Sequence, residues 1–159
     1  MTGTIVEIFI APEAQAPIQS VPVAQLEAGR GIMGDRYSSS EGTFSEKLEG
    51  KGKSDWEVTL IETEEIDNFN KTHGHNFSYG DFRRNVATSG VRLNSLVGKK
   101  FIIGGAKLEG IRLCEPCTTL AVTVTKSVLP GLVGRGGLRA RILKSGKISV
   151  GDQVERPAL

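Results

Sequence analysis

The sequence predicts a mostly β fold with a minor helical share: a strongly bent sheet or β-barrel with one or two short helices. Glycine is the first reason. It occurs 20 times in 159 residues, nearly twice the usual share, and Gly34, Gly90, Gly98, Gly104, Gly105, Gly110, Gly136, Gly137, Gly146 and Gly151 punctuate short apolar runs. The second is that those runs are short and read as many separate strands. The third is a single stretch with helical spacing, after Thr63, which leaves little for a helical bundle.

In chain order, Thr4 to Ile10 reads as a first strand ended by Pro12, and Ala11 to Pro22 as a polar connection. A second strand is expected from Val21 to Glu27, then a glycine-rich loop from Gly29 to Tyr37. Ser38 to Asp55 is polar and short of apolar anchors, so a mobile excursion that could act as a lid is expected there. Glu57 to Ile61 follows as a strand. Thr63 is placed to cap a helix whose Ile66 and Phe69 share a face, with acids in its first turn and Gly74 past its end. Arg83 to Thr88 is a strand after a turn at Gly80-Asp81, and Leu93, Leu96 and Val97 form a compact turn closed by Gly98. Lys100 to Ile103 and Lys107 to Leu113 form a hairpin through Gly104-Gly105-Ala106. Thr118 to Thr125 is strand-like, Pro130 to Gly137 is a loop, and Leu138 to Leu143 pairs with Ile148 to Val154 through Ser145-Gly146. No repeat, linker or low-complexity tract divides the chain, so residues 1–159 read as one domain large enough to bury its own core.

The net charge of +2 is uninformative, but its distribution is uneven. From Phe82 to Lys147 there are thirteen Lys and Arg against two acids, Glu109 and Glu115. An electropositive face follows, suited to a phosphate-bearing small molecule and less to nucleic acid. The first residues lack a basic region before an apolar core, and no apolar run reaches the length of a membrane span. The expectation is a cytoplasmic protein with no membrane partner and reduced thiols.

Both cysteines lie in Arg112-Leu113-Cys114-Glu115-Pro116-Cys117. Such a pair is open to four readings: a redox dithiol, half of a metal site, one working thiolate with a neighbour, or buried packing residues. Pro116 bends the backbone and so presents the thiols on a turn.

Taken together, Gly34-Asp35-Arg36, Arg83-Arg84-Asn85, Leu93-Asn94 with Leu96-Val97-Gly98, the cysteine segment, Arg135-Gly136-Gly137-Leu138-Arg139-Ala140 and Val150-Gly151-Asp152 resemble the MOSC domain family. The family is named for the C-terminal domain of molybdenum-cofactor sulfurase. The resemblance spans about Gly3 to Val154 and implies a single, stand-alone barrel domain. It implies molybdenum-cofactor (molybdopterin) chemistry, either sulfur transfer or reduction of N-hydroxylated compounds, with Cys117 as molybdenum ligand or sulfur carrier. Many members have His after Gly-Asp-Arg, where this chain has Tyr37, and neither the pyridoxal-phosphate desulfurase domain of the sulfurases nor pyridoxal phosphate is expected in this chain. A cysteine desulfurase or an electron-transfer protein is the partner class this implies.

The residues themselves suit that chemistry. A thiolate is the competent form both as a soft ligand and as a sulfur acceptor, and Arg112 in a basic setting favours it. Arg36, Arg83, Arg84, Arg135 and Arg139 could clamp a phosphate through forked hydrogen bonds, with Gly34 and Gly136-Gly137 allowing close backbone approach. Arg112 and Asn85 complete the candidate cofactor-binding set, although Asn85 and Asn94 suit backbone hydrogen bonding and Asp35 suits capping a turn or orienting an arginine. Trp56 and Tyr79 could stack on a flat pterin. Three other readings stay open: a non-catalytic cofactor or sulfur carrier, a thiol–disulfide oxidoreductase using Cys-x-Pro-Cys, and a zinc module drawing on His73, His75, Cys114 and Cys117.

Overall fold

The structure is a computed structural model that describes residues 2–13, 16–35, 57–114 and 134–156. In chain order its elements are β1 (Thr2–Ile10), β2 (Gln19–Val21), β3 (Val23–Glu27), β4 (Gly31–Ile32), β5 (Val58–Glu62), α1 (Thr63–His73), β6 (Val86–Ser89), β7 (Lys100–Ile103), β8 (Ala106–Leu113), β9 (Leu138–Lys144), β10 (Gly146–Ser149) and β11 (Gln153–Glu155). Short 3-10 turns cover Tyr79–Phe82 and Leu93–Leu96.

Seven strands close into a barrel in the order β1, β6, β5, β9, β8, β7, β11, with β11 returning to β1. Closure removes the open edges that a bent sheet would otherwise expose. The pairs are antiparallel except β5 with β6, which α1 joins in parallel, Leu60 facing Val86. β2 extends the sheet beside β1, and β10, β3 and β4 form a small second sheet.

Strand alternation fills the interior with Ile5, Ile8, Val58, Leu60, Val86, Phe101, Leu108, Leu138 and Ile142. β5 is buried along its whole length, which requires cover on its outer face as well. That cover is α1, whose Ile66 and Phe69 pack with Ile61, Phe82 and Ala87 in a second cluster. The rings of His73 and His75 lie 4.8 and 5.8 Å from that of Phe69.

The mostly β barrel with a helix after Thr63 agrees with the sequence reading, and four local expectations are corrected. Pro22 cannot donate to a ladder, and the expected strand Val21–Glu27 divides there into β2 and β3. The glycine-rich loop contains β4, which pairs Ile32 with Leu26. α1 begins at Thr63 with Glu62 as its N-cap residue, so Thr63 is inside the helix rather than capping it; Gly74 ends it in the left-handed conformation, φ 69°. The pairing expected between Leu138–Leu143 and Ile148–Val154 does not form: β9 lies between β8 and β5, while β10 pairs with β3 and β11 with β1 and β7. Gly151, at φ 94°, turns the chain between the last two strands. Arg36, Tyr37, Trp56, Cys117, the excursion Ser38–Asp55 and the strand Thr118–Thr125 lie outside the described residues.

Gly110 marks the tightest contact between the barrel wall and the 3-10 turn. Its N–H and C=O bond to Lys99 and Gly98 at 2.9 and 2.8 Å, and a Cβ there would overlap the Leu96 carbonyl oxygen. Gly110→Ala therefore forces two backbones apart. We expect a loss of roughly 2–4 kcal/mol, read as a lower midpoint in urea unfolding.

Candidate functional site

The last described residue of the cysteine segment, Cys114, follows the end of β8 and is buried. Its N–H donates to Gly137 O at 2.7 Å, joining the end of β8 to the start of β9. Arg84 fastens the same corner. Its guanidinium is buried, with Nε donating to Gly136 O at 2.9 Å and Nη2 to Cys114 O at 3.2 Å. The Gly-Gly step is needed here because a Cβ on Gly137, at φ 114°, would overlap the Leu60 carbonyl oxygen. Arg84 thus binds the cysteine segment to the Arg135-Gly136-Gly137 turn.

The two residues flanking Arg84 act elsewhere. Arg83 adopts the left-handed backbone conformation, φ 62°, rare for a residue with a side chain. Its Nη1 donates to Ala16 O at 2.8 Å, beside a cleft lined by Phe9, Ile18 and Phe77. Asn85 is a staple between strands: Oδ1 accepts from Thr59 N and Oγ1 at 3.2 and 3.1 Å, and Nδ2 donates to Phe9 O at 3.2 Å. Backbone hydrogen bonding is its observed work, as it is for Asn94, whose Nδ2 donates to Gly134 O at 2.8 Å. Asp35 accepts from Ala11 N at 3.0 Å, buried beneath the end of β1. Tyr79 gives its hydroxyl hydrogen bond to Asp67, at 3.0 Å.

Arg112 and Arg139 face each other in the β8–β9 register, next to the Leu113–Leu138 pair. A register shift between Gly110 and Arg112 precedes this opposition. Arg112 is exposed and Arg139 half-buried. Lower on the same strands Lys107 opposes Lys144, and Glu109 opposes Arg141 in an ion pair of 2.7 Å. Of the arginines singled out in the sequence, the described structure brings Arg84, Arg112 and Arg139 to the Cys114 corner. Arg83 is directed to Ala16, and Arg135 lies 3.6 Å from Glu65.

Sequence reasoning missed a polar cavity of about 280 Å³ lined by Glu62, Glu65, Arg92, Asn94, Gly134 and Arg135. Glu62 ends the apolar run of β5 and Glu65 sits in the first turn of α1, where acids are expected simply to complement the helix dipole. Burial raises the pKa of Glu62 above its ordinary value, and the Glu65 carboxylate adds to the rise; the bond from Leu93 N and the charge of Arg92 oppose it. Among the described residues, no group of three His, Cys, Asp or Glu converges as a metal site, and no helix is long and apolar enough to cross a membrane.

The described chain is thus a closed barrel with a cysteine at one corner, an arginine pair beside it and a glycine-bearing turn bound to it. The chain belongs to the MOSC domain family, whose model matches residues 47–155. Its fold is similar to that of the YUAD protein from Bacillus subtilis, with a TM-score of 0.80, 19% identity, and coverage of 97% of this chain and 94% of that one. YiiM from Geobacillus stearothermophilus aligns at a TM-score of 0.70 and 16% identity, over 98% of this chain and 75% of that one. YiiM from Escherichia coli aligns at 0.70 and 16%, over 100% and 71%. No curated protein sequence matches the chain.

Two outcomes follow from this geometry. Arg84→Met leaves the Gly136 and Cys114 carbonyls without their donor and should cost roughly 2–4 kcal/mol, measured by denaturant unfolding. Glu62→Gln keeps an acceptor for Leu93 N and removes a charge whose folded-state pKa is raised. The stability linked to protonated Glu62 is complete below about pH 4.5, its ordinary pKa, and is lost as pH rises through the elevated one. The variant should match wild type in acid and gain on it towards neutral pH, seen as diverging Tm values.

Proposed function

We propose that this chain is a molybdenum-cofactor protein in which Cys117 supplies the reactive thiolate and Arg112 with Arg139 receives the phosphate of the pterin cofactor. Membership of the MOSC family supports the cofactor. The observation that carries the site is the opposition of Arg112 and Arg139 across β8 and β9, beside Cys114. Like charges directly opposite each other destabilise a strand pair, and a phosphate between two guanidinium forks turns that repulsion into charge-assisted hydrogen bonds. The residues present therefore fit a phosphate-bearing group.

When bound, the cofactor would supply a molybdenum centre for two-electron transfer of oxygen or sulfur. The chain contributes the rest. Arg112 and Arg139 orient the phosphate end, and their charge favours the thiolate form of Cys117 as ligand or sulfur carrier. Arg84 is a positioning residue, setting the backbone of the cysteine segment against Gly136. Cys114, at 2% exposure, packs rather than reacts, which disfavours a redox dithiol. Within this reading the reaction is sulfur transfer or reduction of an N-hydroxylated compound, in the cytoplasm, with a cysteine desulfurase or an electron-transfer protein as partner.

The test is molybdenum, pterin and sulfane-sulfur content of protein purified from a cofactor-producing host. Cys117→Ser should lose bound molybdenum or sulfane sulfur while keeping its unfolding transition, and Cys114→Ser should retain most of it. Arg112→Ala should lower cofactor retention about 10–100-fold, the worth of one charge-assisted contact. Full retention by Cys117→Ser would overturn the proposal. Equal loss in both cysteine variants, with a reversible Cys114–Cys117 disulfide by mass spectrometry, would transfer the function to a thiol–disulfide oxidoreductase.

A further inference from the structure

We infer that the polar cavity over the first turn of α1 is a binding site for a small zwitterion of the α-amino-acid type, its ammonium on Glu62 and Glu65 and its carboxylate on Arg92 and Arg135. These residues come from three parts of the chain: the continuous β5–α1 junction, the approach to the 3-10 turn Leu93–Leu96, and the turn before β9. The Asn94–Gly134 hydrogen bond, 2.8 Å, holds the last two together. This inference goes beyond the cofactor reading and does not depend on it.

The carboxylates show what is missing. Glu65 Oε2 is buried without a hydrogen-bond partner. Arg135 Nε is 3.6 Å away, beyond hydrogen-bond range. Glu62 is 8% exposed, and its Oε2 accepts from Leu93 N at 3.3 Å, a long bond. A buried carboxylate oxygen without a donor is costly and uncommon in a folded protein. An ammonium group, with three donors, can serve both acids.

The rest of the cavity selects the other end of the ligand. Arg92 and Arg135 offer guanidinium forks whose planar geometry matches a carboxylate. Two acids against two arginines make the walls electrically balanced, so an isolated phosphate meets the acids and an isolated metal ion meets the arginines. A molecule carrying both charges meets neither repulsion. The volume, about 280 Å³, is far more than one water needs and close to the lower bound of small-molecule sites. It is of a size to hold a free amino acid.

The experiment is isothermal titration of the purified full-length chain with glycine, L-alanine and L-serine, against acetate, methylammonium, inorganic phosphate and calcium. Saturable binding of at least one amino acid is expected, with no saturation by acetate or methylammonium, which each carry half of the recognition. Glu65→Gln and Arg135→Ala should each weaken that binding at least about tenfold. Arg135 is an exposed side chain, 56% accessible, so its variant tests the site even if the glutamate variant fails to fold. Amide shifts of Gly134 and Arg135 on titration, followed by NMR, should saturate at the same concentration. No saturable heat up to ~10 mM amino acid, the range of weak metabolite binding, overturns the inference. So does binding of phosphate or calcium as tight as that of the amino acids, or unchanged affinity in Arg135→Ala.

Discussion

The buried guanidinium of Arg84 is the constraint on which this molecule depends. A charge taken out of water is tolerated only when its donors are answered, and here they meet the carbonyls of Gly136 and Cys114. Those carbonyls belong to segments far apart in sequence, the cysteine segment after β8 and the turn before β9. One side chain thereby sets the backbone from which the cysteines continue. The demand passes outward: Gly137 has to lack a side chain because the turn is drawn onto the Leu60 carbonyl, and Asn85 has to bond Thr59 and Phe9 to keep the strand after Arg84 in place.

The neighbouring arginines show how a basic segment is divided among different tasks. The left-handed backbone at Arg83 turns its side chain to Ala16, away from the corner that Arg84 occupies. Arg112 and Arg139 are opposed across two strands, next to the Leu113–Leu138 pair. Arg135 lies over α1 with Glu65. Positive charge is thus distributed over places of different character: Arg84 is buried and structural, Arg112 and Arg139 stand opposed on two strands, and Arg135 is balanced by an acid.

The helix links the last of these to the core. β5 is buried on both faces, so it needs α1 as an outer cover, and the first turn of α1 carries Glu65 to the cavity that Glu62 also lines. The β5–α1 junction thereby carries two acids, three residues apart, into one polar cavity. Their mutual repulsion is visible in the raised pKa of Glu62, whose first cause is burial itself.

What the sequence by itself determined is the set of local signals: short β-branched runs, glycine turns, the helix around Ile66 and Phe69 with its Gly74 terminus, and the ordered fragments that resemble the MOSC family. These are legible because propensity and periodicity act over a few residues, and because Arg83-Arg84-Asn85 stands next to itself in the chain whatever the fold does. Which arginine is buried, which opposes another and which meets an acid depends on strand register and on one left-handed residue, and neither leaves a trace in composition. The failed pairing of Leu138–Leu143 with Ile148–Val154 has the same cause: closing the barrel gives β9 the neighbours β8 and β5, and a sequence-local hairpin cannot compete with burial on that scale. Glu62 and Glu65 are neighbours already in the sequence, but only the tertiary structure decided that they share one cavity with Arg92 and Arg135, because those three segments meet only when the barrel closes and the helix packs against it.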